Sequence, residues 1–108
     1  MAAERRTTVF AVTRLRVPEQ ATAAFVADAG VLLAALAARP GFRDGRLGQA
    51  ADDPSLWVLL TSWEGVGAYR RALSAAEVKI AGAPVWVHAL DEPGVFLPPQ
   101  EGPLETPR

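Results

Sequence analysis

The segment "LWVLLTSWE" (Leu56–Glu64) carries the strongest β-strand pattern in the chain. Alternate positions place Trp57, Leu59, Thr61 and Trp63 on one face, and the residues between them are also largely apolar. Alternation of this kind, rich in aromatic and β-branched residues, is typical of a strand. Because both faces are apolar, we expect other structure to cover both of them.

The residues before this segment predict a strand, a helix and a second strand. Thr7–Val17 alternates in hydrophobicity, which favours a strand. From Glu19 to Arg39 the period becomes helical, and one stripe collects Phe25, Ala29, Leu32, Leu33 and Leu36. Pro40-Gly41 should end this helix. Phe42–Ala50 then predicts a weaker strand, and the turn Ala51–Ser55 leads into the central one.

The residues after the central strand predict helical structure and a last strand. Gly65–Leu73 reads as a helix, with a short continuation that Gly82 and Pro84 should end. Val85–Leu90 should open the last strand, which "DEPG" interrupts before "VFL". The order βαββαβ predicts an α+β, ferredoxin-like domain, with a four-stranded antiparallel sheet and helices on one face. We expect one domain over residues 1–97 and a proline-rich C-terminal tail over 98–108.

Composition excludes several classes of function. The 108-residue chain has no cysteine, a single histidine and a formal net charge of −1. These values argue against thiolate or multi-histidine metal sites, and against nucleic-acid partners or an anionic membrane surface. The apolar run Ala29–Ala38 is too short to cross a bilayer, and the arginine pair at Arg5 and Arg6 precedes a predicted strand rather than an export signal. We therefore expect a cytoplasmic protein.

The second face of the sheet predicts a partner. The two helices protect one face only, yet the central strand is apolar on the other face too. A second copy of the chain is the economical cover, so we expect a homodimer packed sheet to sheet. Arg14 and Arg16 lie on this face and are expected to pair with acidic groups of the partner or to lie past its edge.

The chain resembles the antibiotic biosynthesis monooxygenase family of dimeric α/β barrels. The resemblance extends over Thr7–Leu97. It is carried by "RPGFRDGRL" (Arg39–Leu47), "DDPSLWVLLTSWE" (Asp52–Glu64) and "AYRRALSAAEVK" (Ala68–Lys79). It implies a pocket in each subunit between the sheet and its helices. These motifs identify the fold and family much better than they identify a substrate.

The resemblance also implies a reaction that uses no metal, flavin or nicotinamide cofactor. In the cofactor-free members of the family, an electron-rich phenol or anthrone from aromatic polyketide synthesis ionises in the site. Its anion gives one electron to dioxygen, and the radical pair recombines to yield a quinone. Such a site needs a group that assists deprotonation, a cation or donor for the oxyanion, and aromatic walls.

Two residues are candidates for catalysis. His88 is the only side chain of the chain that ordinarily titrates near neutrality, which suits a general base. Arg70 is the candidate cation, with its neighbour Arg71 as the alternative, because adjacent helical residues point about 100° apart. The competing hypotheses are a hydrogen-bonded structural histidine and arginines on the solvated surface.

Four residues are candidates for substrate binding. Trp63 matches the family tryptophan that closes the third strand, and Tyr69 matches the aromatic residue of the second helix. Trp57 shares a face with Trp63, and Thr13 stands where a related branch has an asparagine. For the three aromatic residues, burial in the core is the competing hypothesis.

Other functions are weighed against these residues. In haem-degrading relatives a tryptophan and a histidine occupy positions that are Ala72 and Gly82 here, so haem degradation is not expected. "GVGAYR" lacks the third glycine of a dinucleotide-binding turn, because Arg70 takes its place. A non-catalytic ligand-binding or sensing dimer remains an alternative, favoured by the single histidine and the lack of asparagine. A purely structural module, with no pocket near Trp63, is the third hypothesis.

Overall fold

The computed structural model describes residues 8–99. The predicted start of the first strand at Thr7, and the predicted tail from residue 100 onward, lie outside the described residues. The elements are β1 (Val9–Arg16), a 3-10 turn (Glu19–Ala21), α1 (Thr22–Ala37), β2 (Phe42–Ala50), β3 (Asp53–Trp63), α2 (Val66–Ser74), α3 (Ala76–Trp86) and β4 (Val95–Phe96).

The strands form one antiparallel sheet in the order β2-β3-β1-β4. This order follows from the connections, because β2 and β3 form a hairpin and each helical segment carries the chain back across the sheet. The helices pack on one face of the sheet. The predicted α+β, ferredoxin-like fold is therefore confirmed.

Alternation along β1 and β3 sets the core. The register pairs Val9 with Trp63 and Leu15 with Trp57, so the buried residues of both strands share the helix-facing side. The stripe of α1 closes over them. Its residues Phe25, Ala29, Leu32 and Leu36 are buried. The face assignments made from the sequence are confirmed for both strands.

Helix α1 and the turn before it are as apolar as a helix that crosses a membrane. By length and composition, the 19-residue stretch Glu19–Ala37 could span a membrane. Phe25, Leu32 and Leu36 are nevertheless buried against the sheet, as expected for the core helix of a folded domain. The helix ends at Ala37, two residues before the predicted end at Arg39. Gly41 supplies the positive φ of 90° that lets the chain turn into β2.

The predicted end of the third helix is wrong. α3 continues through Gly82 and Pro84 to Trp86. Val78, Gly82 and Val85 fall at i, i+4 and i+7 and are all buried, so α3 has a continuous packing face. Pro84 lies on the exposed side and only two residues from the end. There it removes one backbone hydrogen bond, which packing of the buried face offsets.

The predicted strand Val85–Leu90 is also wrong. Val85 and Trp86 belong to α3, and His88 lies in the turn that follows. The chain then runs beside β1 irregularly: His88 O accepts a bond of 2.9 Å from Arg16 N, and Leu90 N donates one of 2.9 Å to Arg14 O. Regular pairing begins only at β4, after the interruption at "DEPG" that the sequence predicted.

The second face of the sheet is not covered within the described residues. Phe10 and Phe96 pair across β1 and β4 and are 43% and 46% exposed. Val12, Val58 and Leu60 on the same face are half-exposed. We call these five residues the open face. Its apolar character matches the sequence pattern that predicted a partner.

Arg14 and Arg16 find acidic partners in their own chain. The Arg14 guanidinium donates to both carboxylate oxygens of Glu92, at 2.8 and 3.0 Å. Arg16 donates to Asp53 at 2.8 Å and to Ser55 at 2.7 Å. Both arginines therefore pair within their own chain rather than needing acidic groups of a partner, and the alternative that they lie past the interface edge stays a prediction.

Candidate functional site

A cavity of about 470 Å³ lies beside β1 on the helix side of the sheet. This volume is within the range of small-molecule sites. Its lining comes from β1, α2, α3 and the turn after α3, and consists of Thr13, Tyr69, Leu73, Lys79, Trp86 and Ala89. The predicted substrate-binding residues Thr13 and Tyr69 therefore lie in one cavity, although they are 56 positions apart in sequence.

The polar groups of this cavity are not used by the fold. The hydroxyls of Thr13 and Tyr69 make no hydrogen bond with another side chain or backbone group in residues 8–99. Over the same residues, no carboxylate lies within 4.0 Å of the Lys79 ammonium. The remaining walls are apolar. A few polar groups without a protein partner in a largely apolar cavity are typical of a ligand site. Thr13 and Tyr69 are half-buried there, whereas Lys79 is exposed to solvent.

Burial raises the pKa of the Tyr69 phenol above its ordinary value of 10.0. The side chain is therefore neutral at physiological pH and acts as an O–H donor. It can donate a hydrogen bond to a ligand oxygen. It cannot serve as a base near neutrality.

Trp86 forms an aromatic wall of the cavity because Gly82 lacks a side chain. A Cβ built at Gly82 would lie 2.9 Å from Trp86 Cδ1 and 3.0 Å from Cε2, with Nε1 closer still. The indole thus lies directly against the backbone one turn before its own position. Glycine in a helix costs about 0.5–1 kcal/mol relative to alanine, so this close approach explains a residue that helix propensity disfavours.

Trp63 lies in the core and packs against Tyr69, which lines the cavity. It is fully buried, and its Nε1 donates a hydrogen bond of 2.9 Å to the buried Thr61 hydroxyl. Its ring centroid lies 5.2 Å from that of Phe42 and 5.6 Å from that of Tyr69. Trp63 is thus a core residue that contacts a cavity residue. The structural-module hypothesis, which required no pocket near Trp63, does not fit this arrangement.

Trp57 and His88 lie elsewhere and share a neighbour. The Phe25 ring packs edge-on against Trp57, at a centroid distance of 5.4 Å, and against His88, at 5.7 Å. Neither is among the residues that line the cavity. Trp57 is 8% exposed, and its Nε1 has no hydrogen-bond partner in the described part of the chain. The structure therefore does not bring the predicted base, His88, together with Thr13 and Tyr69.

The predicted cation also lies outside the cavity lining. Arg70 is exposed on α2, and Arg71 is exposed with its guanidinium folded toward Gly67. The charged residue that lines the cavity is Lys79, from α3. Lys79 and Trp86 are seven residues apart and share a helix face. A prediction that continued α3 through Pro84 would have found both.

A second cavity, of about 460 Å³, is lined mainly by polar residues and lies near the β2–β3 turn. Its lining includes Glu19, Thr22, Gln49 and Ser55. Asp53 also lines it, but hydrogen bonds from Arg16 and from Ser55 hold the pKa of that carboxyl below its ordinary value of 3.8. Its carboxylate is thus tied to its own chain. Across residues 8–99 no three His, Asp or Glu side chains cluster as metal ligands.

Comparison with known proteins connects this geometry to a family. The family model described as "Antibiotic biosynthesis monooxygenase" matches residues 8–83, which is more than half of the chain. Among curated proteins, none is significantly similar in sequence.

Solved structures share the fold at low sequence identity. A conserved protein from Methanosarcina mazei Go1 superposes with a TM-score of 0.76 at 14% identity, covering 94% of this chain and all of the other. SnoaB, a cofactor-independent oxygenase from Streptomyces nogalater, gives a TM-score of 0.73 at 24% identity, covering 93% of this chain and 99% of the other. At these identities the likeness shows the fold alone.

Proposed function

Because the chain belongs to the antibiotic biosynthesis monooxygenase family, we propose that it is a cofactor-independent monooxygenase for a flat aromatic compound of polyketide type. The observation that carries the proposal is the cavity lined by Thr13, Tyr69, Lys79 and Trp86. The chain also shares its fold with SnoaB, which is described as a cofactor-independent oxygenase, and this supports the proposed reaction class.

In the proposed reaction the protein orients and ionises its substrate. The indole of Trp86 and the ring of Tyr69 flank a flat ligand. The hydroxyls of Thr13 and Tyr69 and the ammonium of Lys79 hold a ligand oxygen as it gains negative charge. The anion gives one electron to dioxygen, and the resulting radicals combine into a peroxide at the reacting methylene carbon. Loss of water leaves a carbonyl there, so one oxygen atom enters the product and the other leaves as water.

This proposal reassigns roles among the predicted residues. Thr13 and Tyr69 remain substrate-binding residues, and Trp63 supports Tyr69 from the core. Lys79 replaces Arg70 as the cation. His88 and Trp57 have no direct role in the proposed site, since neither lines the cavity.

Oxygen uptake by the purified protein, with no cofactor added, tests the proposal on a panel of anthrones and polycyclic phenols. Tyr69→Phe keeps the ring but removes the hydroxyl. It should lower the uptake rate about tenfold or more, since a hydrogen bond to a charged group contributes about 1.5–3 kcal/mol. Ser74→Ala removes a hydroxyl from the same helix outside the cavity and should leave the rate unchanged. Uptake at the spontaneous rate with every compound would refute catalysis.

A non-catalytic ligand-binding or sensing protein is the second candidate. One observation favours it: no carboxylate or imidazole is among the residues that line the cavity. Proton removal would therefore depend on water. Quenching of tryptophan fluorescence by an anthrone, without oxygen uptake above background, would favour this candidate over the enzyme.

We also propose a homodimer in which the open face of the sheet packs on that of a second copy. The exposed Phe10 and Phe96 and the half-exposed Leu60 support this proposal. Light scattering should give the mass of a dimer, and Leu60→Glu should give that of a monomer. Val31→Glu places the same charge on an exposed apolar residue of α1 and should leave the dimer intact. A monomeric wild-type protein, or a dimeric Leu60→Glu protein, would contradict the proposal.

A further inference from the structure

The chain between α3 and β4 takes part in two surfaces of the domain. We call residues 87–94 the connecting segment. Ala89, near its start, lines the helix-side cavity. The segment then leads directly into Val95 and Phe96, which are 39% and 46% exposed, and Phe96 belongs to the open face. One short stretch of chain therefore joins a wall of the cavity to the proposed interface between copies.

The connecting segment pairs irregularly with β1. Leu90 N donates a hydrogen bond of 2.9 Å to Arg14 O, and Val12 N donates one of 2.6 Å to Gly94 O. Two steps along β1 thus span four steps along the segment, so that two extra residues loop out between the two bonds. Bulges interrupt the ladder of a strand pair, and β4 then adds only two paired residues. Weakly bonded edges of this kind open at a lower free energy than the core does.

An ion pair spans the bulge but adds little to its stability. The Arg14 guanidinium, on β1, binds both carboxylate oxygens of Glu92, at 2.8 and 3.0 Å. Both side chains are partly exposed to solvent, and exposed ion pairs contribute little to stability. Burial of Phe96 beneath a second copy would therefore be the larger contribution to keeping the segment in place.

We infer that ligand binding in the cavity and packing of a second copy on the open face are coupled through the connecting segment, each strengthening the other. The inference rests on the proposed homodimer and on the proposed placement of the ligand. The segment has a seated state, bonded to β1 as in the structure, and a loosened state in which the bonds at Leu90 and Gly94 are broken. A ligand contacts Ala89, and a second copy buries Phe96, only in the seated state. Two partners that favour the same state of one element raise each other's affinity.

The first test needs no ligand. Hydrogen exchange at the Leu90 amide, followed by NMR, should be at least about fivefold faster in monomeric Leu60→Glu than in the wild-type dimer, since coupling between sites is typically of this size or larger. Val31→Glu keeps the proposed dimer and should exchange like the wild type. The Lys79 amide, bonded to Ala75 O at 3.0 Å in the first turn of α3, should exchange equally in all three proteins.

The second test measures affinity for a flat aromatic probe. The compound 1,8-dihydroxyanthraquinone lacks the anthrone methylene, so the proposed oxidation does not consume it. Its dissociation constant, from quenching of tryptophan fluorescence, should be at least about fivefold higher for Leu60→Glu than for the wild type. Val31→Glu should again match the wild type.

An engineered disulfide separates seating of the segment from dimerisation. Ala11 and Val95 are register partners in β1 and β4, and the chain has no cysteine of its own. Because the adjacent pair Val12 and Gly94 is hydrogen-bonded, positions 11 and 95 form a non-hydrogen-bonded pair, whose Cα separation of about 4.5 Å suits a disulfide. Ala11→Cys and Val95→Cys, added to the monomeric variant, should restore slow Leu90 exchange and tight binding of the anthraquinone when oxidised. The same protein with its disulfide reduced is the matched control and should show neither.

The outcomes separate this inference from the proposals on which it rests. Equal Leu90 exchange in the wild type and Leu60→Glu would overturn the inference, and so would equal affinities or a loss of affinity that the oxidised disulfide leaves unrestored. Failure of the wild type to bind the anthraquinone would also overturn it, since the cavity then takes no ligand of this class.

The proposed dimer and the proposed enzyme are tested separately. A monomeric wild type would refute the homodimer and the inference together, and light scattering identifies this case first. A protein that passes both tests yet takes up no oxygen with any anthrone refutes the enzyme and leaves the inference standing. Oxygen uptake at equal rates by the wild type and Leu60→Glu, with equal Leu90 exchange, does the reverse.

Discussion

Replacing Gly82 with alanine should displace the Trp86 indole. The added Cβ would lie 2.9 and 3.0 Å from two ring carbons, inside the distance that real Cβ contacts keep. Overpacking of this kind costs about 1–3 kcal/mol. Glycine-to-alanine substitution in a helix otherwise stabilises by about 0.5–1 kcal/mol. Gly82→Ala should therefore lower the free energy of unfolding by about 1 kcal/mol.

Gly30→Ala provides the matched control. Gly30 lies inside α1, and a Cβ built there meets no atom within 4 Å. This variant should gain about 0.5–1 kcal/mol in urea unfolding, since only helix propensity changes. The difference in stability between Gly82→Ala and Gly30→Ala measures the cost of the contact at Gly82. For a domain of this size, the Tm values of the two variants should differ by several degrees.

A double-mutant cycle makes the argument refutable. In a Trp86→Ala background the contact no longer exists, so Gly82→Ala should stabilise the protein as much as Gly30→Ala does. The near-ultraviolet circular dichroism spectrum should also change in Gly82→Ala but not in Gly30→Ala, because only Gly82→Ala moves Trp86 from its ordered position. If Gly82→Ala stabilises the protein equally with Trp86 present and absent, the close packing of Trp86 on Gly82 is not real.

Three further predictions concern the core, a turn and an ion pair. Thr61→Val should destabilise the protein by about 1–3 kcal/mol in urea unfolding, because the buried Trp63 indole loses its acceptor, whereas Thr61→Ser should restore most of that loss. Gly41→Ala should cost about 1–3 kcal/mol, because alanine must adopt a φ of 90°; a loss below about 0.3 kcal/mol would contradict the assigned turn. The Arg16 and Ser55 hydrogen bonds hold the Asp53 pKa below its ordinary value of 3.8, so their contribution is present above that value and lost as the pH falls through the lower pKa of the folded state. Asp53→Asn should therefore flatten the loss of stability below about pH 3.8 in acid titrations, and an acid profile identical to that of the wild type would count against the ion pair.

The predictable part of this fold is the part in which period alone decides the structure. The alternation of β1 and β3 fixes which residues face the helices, and the structure buries Val9, Leu15 and Trp63 accordingly. The helical stripe of α1 is equally regular. Such patterns reflect burial of a whole face, which outweighs any single residue.

The part of the fold that could not be predicted depends on two residues that are compatible both with the end of a helix and with its continuation. Gly82 and Pro84 are ordinary signals for the end of a helix, yet α3 runs through both. Local propensity suggested an end, whereas packing of Val78 and Val85 against the core carries the helix onward. Because the helix was predicted too short, Lys79 and Trp86 were not seen to share a face.

The incorrect prediction of where α3 ends also explains why the position of His88 was predicted incorrectly. A strand at Val85–Leu90 would have placed His88 in the sheet, where a general base would suit the family's pocket. His88 instead lies in a turn and packs on Phe25. Thr13 and Tyr69 line the cavity, and they were predicted for a different reason. The family resemblance assigned them through β1 and α2, which were predicted correctly.

The two edges of the sheet limit how copies of this chain can meet. On one side, β4 pairs through only two residues before the chain leaves the sheet. On the other side, β2 carries an irregular register near Phe42 and the exposed charges of Arg43, Asp44 and Arg46. Short, bulged or charged edges discourage the addition of further strands. Growth of the sheet from either edge into larger assemblies is thus disfavoured, whereas stacking of a second copy across the open face adds no strand to an edge.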